Sequence, residues 1–171
     1  MLYAMCLKNF DIYETTRNDK KGKRKYQEGG GIVCIAKVGL TKPGKKSKCD
    51  DLLWVRTGDL HLAGAYFVPP SSTFVKKNDR RMQELQEQTL RLAQKGRVMI
   101  VTDANAWIGE KPSIIEADEE SFVFTRKSEK TQTNAQGNWF IEKMNAINML
   151  ILKGSKARPS VRAQCRRFRL C

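Results

Sequence analysis

Apolar and polar positions alternate or recur along this chain in a way that marks out strands and helices in turn. Phe10-Asp11-Ile12-Tyr13 alternates with the two-residue period of a strand, and Ile32-Val33-Cys34-Ile35-Ala36 is a β-branched run that reads as a buried strand. Leu52-Leu53-Trp54-Val55-Arg56 and Leu60–Val68 are two further strands. Thr57-Gly58-Asp59 joins them into an antiparallel hairpin that Pro69-Pro70 ends. Residues 79–95 carry the clearest helical stripe, with Met82, Leu85, Thr89, Leu92 and Ala93 on one face. Asn78 or Asp79 can cap its start and Gly96 its end. A strand over 97–103 follows at once.

The C-terminal third is less regular. Residues 110–120 hold Glu110, Glu116, Asp118, Glu119 and Glu120 and read as an acidic loop, with Ser121–Thr125 as a short strand. Phe140, Met144 and Ile147 mark a second helical face, and Asn148–Leu152 reads as a last strand. Hairpins, helix, strand, helix, strand is the order of an α+β chain with mixed β-sheets flanked by helices.

At 171 residues the chain is one domain by length, with enough sequence to bury a core. No segment is apolar for long enough to span a bilayer, and the N-terminus lacks the charge order of a signal peptide, so an intracellular protein without a membrane partner is expected. Cys6, Cys34, Cys49, Cys165 and Cys171 are odd in number and form no C-x-x-C pair, which favours reduced thiols over a disulfide framework or a zinc site. His61 is the only histidine and falls mid-strand, an ordinary strand position rather than a metal ligand.

Charge changes the picture more than hydropathy does. Thirty-two Lys and Arg against 18 Asp and Glu give +14 and a pI near 9.8, which points to a polyanionic partner such as nucleic acid. Seven of those cations lie in residues 153–171, where there is no acid, so the body keeps +7. Residues 154–171, with Pro159, scattered arginines and no apolar period, are expected to be a disordered basic tail. A second basic stretch runs over 17–48.

Candidate chemistry sits where the run Arg97–Val101 stops. Thr102-Asp103-Ala104-Asn105 places a carboxylate and an amide two residues apart, so both side chains share a face if the strand continues through them. Strand ends of this kind are where α/β proteins build sites. Gly29-Gly30-Gly31 invites a phosphate-loop reading, but it precedes a strand, whereas phosphate loops follow one.

Three patterns then fall in order: Gly29-Gly30-Gly31-Ile32-Val33-Cys34-Ile35, Ala65-Tyr66-Phe67-Val68-Pro69-Pro70-Ser71-Ser72, and Thr102-Asp103-Ala104-Asn105-Ala106-Trp107-Ile108-Gly109. A fourth is Asn134-x-x-Gly137 with its apolar helix and Asn148–Leu152. Together they resemble the endonuclease/exonuclease/phosphatase family, and within it the endonuclease domains of non-LTR retrotransposons. The resemblance covers about residues 10–153. It implies a partial four-layer α/β-sandwich of the deoxyribonuclease-like type over residues 1–153, incomplete at both ends. It also implies Mg²⁺-dependent phosphodiester hydrolysis of DNA.

By the same resemblance Asp103 orients the attacking water and Asn105 contacts the phosphate. Counting back from Pro69-Pro70 puts Phe67 in the family's tyrosine slot, so Tyr66, one residue earlier, is the site candidate only if a bulge turns it. Glu14 is the one candidate metal ligand, although Phe10–Tyr13 fits better as the strand after the family's metal-binding Glu. No His follows residue 61, so the Asp-His pair that activates the water is missing. The expectation is a nuclease-like domain that is inactive or weak. The alternative is a non-catalytic basic nucleic-acid-binding module. Oligomeric state is left open.

Overall fold

The computed structural model describes residues 9–16, 31–117, 120–125, 127–128 and 130–152. The basic loop 17–25, Gly29 and Gly30, three of the five cysteines and the tail 154–171 lie outside the described residues.

Strand β1 (Phe10–Thr16) pairs antiparallel with β2 (Gly31–Lys37), Ile12 facing Ile35 and Glu14 facing Val33. A four-stranded sheet has the order β3 (Lys42–Pro43), β4 (Leu52–Thr57), β5 (Leu60–Tyr66), β6 (Arg97–Asp103). The β4–β5 hairpin forms as the sequence predicts, with Gly58 at φ +58° in its turn. Helix α1 (Lys77–Ala93) then carries the chain back so that β6 lies parallel to β5. A second antiparallel pair, β7 (Ser113–Ala117) and β8 (Glu120–Phe124), precedes helix α2 (Ala135–Asn145). The fold is α+β, and the described residues form one mixed sheet, two antiparallel sheets and two helices.

The core forms on one face of the four-stranded sheet. Leu52, Trp54, Ala63 and Ala65 meet Met82 and Leu85 of α1 and Phe140 and Met144 of α2. Phe67, fully buried just past β5, sits edge-on to Trp139 and Phe140 at 5.7 and 5.9 Å between ring centres. The β1–β2 hairpin covers the other face over β4 and β5. It lies so close that a Cβ on Gly64 would stand 2.7 Å from Ile32 Cγ2, which is why glycine occupies that strand position.

Several sequence expectations change here. Val33 and Ile35 are 57% and 54% exposed, so β2 is a surface strand: its Ile32, Cys34 and Ala36 face inward and its β-branched partners face out. Strand β6 alternates between exposed and half-buried because it is a sheet edge among the described residues. Asn78 does not cap α1. The cap position is Lys76, without a side-chain bond, while Asn78 turns inward. The acidic stretch 110–120 contains β7, whose Ser113 is fully buried, rather than a loop throughout.

Asn148–Leu152 is not a strand. Asn148 takes a left-handed conformation at φ +54°, and Met149 N–H reaches back to Met144 C=O at 3.0 Å, which ends α2 in a tight cap. The Asn148 side chain then pairs with both backbone groups of Glu116, at 3.1 and 2.8 Å. An amide side chain thus does for β7 what a neighbouring strand would do.

Candidate functional site

Strands β5 and β6 run in parallel, so their C-terminal ends emerge side by side. Tyr66 pairs with Asp103 in the register, which puts the two side chains on the same face of the sheet. No bulge is needed: Phe67 points into the core and Tyr66 stays at the surface beside Asp103. Burial thus leaves Tyr66, and not Phe67, facing the cleft at Asp103.

Strand β6 stops at Asp103, so Asn105 does not share its face by strand alternation. The chain turns instead. Asn105 adopts φ +47°, its N–H donates to Asp103 Oδ1 at 3.2 Å, and its Nδ2 donates to Phe67 C=O at 2.9 Å. An Asn tolerates the left-handed region where most side chains do not. The amide ties the end of β6 to the end of β5, with Asp103 exposed beside it. Two clefts meet at Asp103. One, of about 460 Å³, runs along Thr102–Ile108 to Phe140, Ile151 and Leu152. The other, of about 430 Å³, lies between β2 and the outer face of β5 and β6 and includes Tyr66.

The residues beneath this strand end form a buried polar network. Asn78 Oδ1 accepts from Val68 N–H at 3.1 Å while its Nδ2 donates to Val68 C=O at 2.9 Å. Arg81 donates to the same Oδ1 at 3.0 Å and makes a buried ion pair with Asp51. Gln136 Nε2 donates to Ala104 C=O at 2.6 Å and to Val68 C=O at 3.2 Å. Both helices are thereby pinned to the two strand ends. Sequence reasoning missed Asn78, Arg81, Asp51 and Gln136. The one signal was an Asn at the predicted helix start, which lies in the first turn of α1 and does not cap it.

Asn134 adds a second brace. Its Oδ1 accepts from Gly137 N–H at 2.7 Å and from Trp107 N–H at 3.2 Å, and its own N–H donates to Trp107 C=O at 3.0 Å. A Cβ on Gly137 would collide with that Trp107 carbonyl, so the Asn-x-x-Gly pattern is what lets α2 press against the loop after β6. Trp107 itself is 48% exposed, with Lys130 Nζ 4.0 Å over its ring.

No match was found among protein-family models, curated proteins or solved structures. Glu14 sits on the outward, exposed face of β1 opposite Val33 and lines neither cleft at Asp103. Among the described residues no three His, Cys, Asp or Glu side chains converge. At the strand end Asp103 and Asn105 are the oxygen donors on offer, and a Mg²⁺ ion held there would take its remaining ligands from water and substrate phosphate. His61 is buried on the core side of β5 opposite Val98. It lies five residues, about 16 Å along the strand, from Tyr66.

Away from the strand end, Lys45, Lys46, Lys48, Arg80 and Arg91 line a third cleft, of about 280 Å³, between the 44–48 segment and α1. Glu84 organises it, accepting from Ser47 Oγ at 2.8 Å, Lys48 N–H at 2.7 Å and Gln88 Nε2 at 2.8 Å. Burial opposes its charge, but the bonds from Cys49, Lys48 and Ser47 win and hold its carboxyl below 4.5. Burial and the neighbouring Glu84 push the Cys49 thiol up to about 12. Cys49 is thus a poor nucleophile. Cys34 and Cys49, the two described cysteines, are both free thiols. No described helix is long and apolar enough to cross a membrane.

Proposed function

We propose that this chain is an endonuclease-type domain whose fold is a partial deoxyribonuclease-like sandwich and whose substrate class is the DNA phosphodiester. The observation that carries this reading is the convergence at one sheet end of Tyr66, Asp103 and Asn105. They come from two patterns that start 37 residues apart in sequence and meet only because β5 and β6 are parallel neighbours. Asp103 is the exposed carboxylate that can accept a hydrogen bond from a water and aim its lone pair. Asn105, with one amide hydrogen on Phe67, keeps the other for a phosphate oxygen, and Tyr66 can add its hydroxyl from the same face.

Hydrolysis as the chain stands is absent or weak. The residues described offer no imidazole within reach of Asp103, since His61 faces the core five residues before Tyr66. Incubating supercoiled plasmid with the full chain and Mg²⁺ tests the reading. Trace nicking that is lost in both Asp103→Ala and Asn105→Ala supports it. Robust nicking lost in Asp103→Ala overturns the weakness, and nicking indifferent to both substitutions overturns the site.

A second reading, a basic nucleic-acid-binding module without catalysis, is favoured by the five cations around the Glu84 cleft. An NMR titration with a short duplex separates the two. Perturbations centred on residues 102–107 favour the strand end, and perturbations centred on 45–48 and 80–91 favour the basic cleft. In the second case affinity falls steeply with salt, because each neutralised phosphate releases counterions.

A further inference from the structure

The edge of β6 that the described residues leave unpaired matches itself. Arg97 N–H donates to Asp59 C=O and Asp103 C=O accepts from Phe67 N–H, each at 3.0 Å, so these residues spend their backbone groups on β5 and its flanks. Along a strand such residues alternate with those that face away. Val98, Ile100 and Thr102 therefore turn their N–H and C=O groups to the open side. The opposite edge of the sheet is blunted: β3 is two residues long and consists of Lys42 and Pro43. Strand β6 has no proline, glycine or charge between Arg97 and Asp103.

We propose that β6 pairs antiparallel with β6 of a second copy of this chain, about a two-fold axis at Ile100. Ile100 then faces the partner's Ile100, and Val98 faces the partner's Thr102. These are the residues whose backbone groups point outward, so each such pair exchanges two hydrogen bonds. Met99 faces the partner's Val101 at the closer, non-hydrogen-bonded positions. Both are apolar and half exposed, at 49% and 56%, which is unusual for neighbours on one strand face and is relieved by the pairing.

The ends carry the register. Arg97 faces the partner's Asp103, and Asp103 faces the partner's Arg97. A slip of two residues puts Arg97 against the partner's Val101, or Asp103 against the partner's Met99, and a slip of one sets inner faces against outer ones. Arg97 is already held by a two-point bond to Asp59, at 3.0 and 2.8 Å, with both side chains well exposed. That bond uses Nε and one hydrogen of Nη2 and leaves the rest of the guanidinium free for the partner's Asp103. Ile151 and Leu152 lie beside the end of β6 without pairing to it. The product is one continuous eight-stranded sheet. This surface shares Asp103 with the proposed strand-end site, but its test needs neither DNA nor Mg²⁺ and so fails or stands independently of the nuclease reading.

Sedimentation equilibrium of the full chain over a concentration series tests the pairing. The expected mass rises to that of two 19.5 kDa chains. Arg97→Asp alone and Asp103→Arg alone are expected to stay monomeric, because each sets like charges at both ends of the strand pair. An equimolar mixture of the two variants restores unlike charges at both ends, and so the dimer. Met99→Lys, on the exposed face, is expected to stay monomeric with an unchanged far-UV CD spectrum. A wild-type chain monomeric throughout the series overturns the proposal. So does a dimer that survives both single charge changes, or variants with wild-type CD spectra that fail to recombine.

Discussion

Asn105 holds the strand end by two separate means, its left-handed backbone and its side-chain amide, and substitution can pull them apart. Asn105→Gly keeps φ +47° without strain but loses the bond to Phe67 C=O, a cost of about 1 kcal/mol. Asn105→Ala loses the bond and also places a Cβ in the left-handed region, for a total of about 2–3 kcal/mol. Urea unfolding of the two variants is expected to show that order, and equal losses would mean that the backbone is relaxed there. Asp103 was readable in the sequence because a carboxylate directly after an apolar run has few places to go but a strand end. Tyr66 was not, since the neighbouring Phe67 fills the expected slot and only burial decides which ring faces out. Asn78 and Gln136 were beyond reach. Their partners are the backbone groups of Val68 and Ala104, and no residue type announces a need for an amide there.

At the scale of elements, helices and hairpins with strong periodicity were predictable, and elements defined by long-range partners were not. The stripe Met82, Leu85, Thr89 gave α1 to within two residues at either end, and Thr57-Gly58-Asp59 gave the β4–β5 turn. Strand β7 hid inside an acidic stretch because Glu110, Glu116 and the acids after it outweigh the short pair Ile114-Ile115, and its pairing comes from β8 and Asn148. Asn148–Leu152 misled for the converse reason: an apolar run packs against the core without finding a strand. The 44–51 segment is positioned on α1 through Glu84, and this makes its attachment pH-dependent. Because the Glu84 carboxyl is held below 4.5 in the folded chain, its contribution is present above pH 4.5 and is lost as pH falls through the folded value. The raised Cys49 thiol works at the other limb. Its contribution is complete below pH 9.0 and is lost as pH climbs toward about 12. Melting temperature is expected to drop faster on acidification in wild type than in Glu84→Gln, which starts lower at neutral pH. Parallel acid limbs for the two proteins would remove Glu84 from the account.

The whole molecule combines a net charge of +14 with apolar surface that the described residues leave uncovered. On the outward face of the β1–β2 hairpin, Phe10, Ile12, Val33 and Ile35 are each between 43% and 57% exposed, with Ile12 directly opposite Ile35. A contiguous patch of this kind favours association, and like charge on every copy opposes it. Salt weakens the second term, since charges more than about 10 Å apart are largely screened at 0.1 M, and leaves the first intact. Light scattering by the wild-type chain is therefore expected to grow with ionic strength. Ile12→Thr with Ile35→Thr keeps β-branched residues in both strands while removing the central apolar pair. Neither side chain faces the core, so the melting temperature should stay within a few degrees of wild type and the salt-induced scattering should fall severalfold. The hairpin face has no geometric stopping point, whereas pairing through β6 is closed at two copies and requires Arg97 and Asp103. The double threonine variant should accordingly lose the large scattering species and keep the dimer. Scattering unchanged in that variant would assign the association to a different surface.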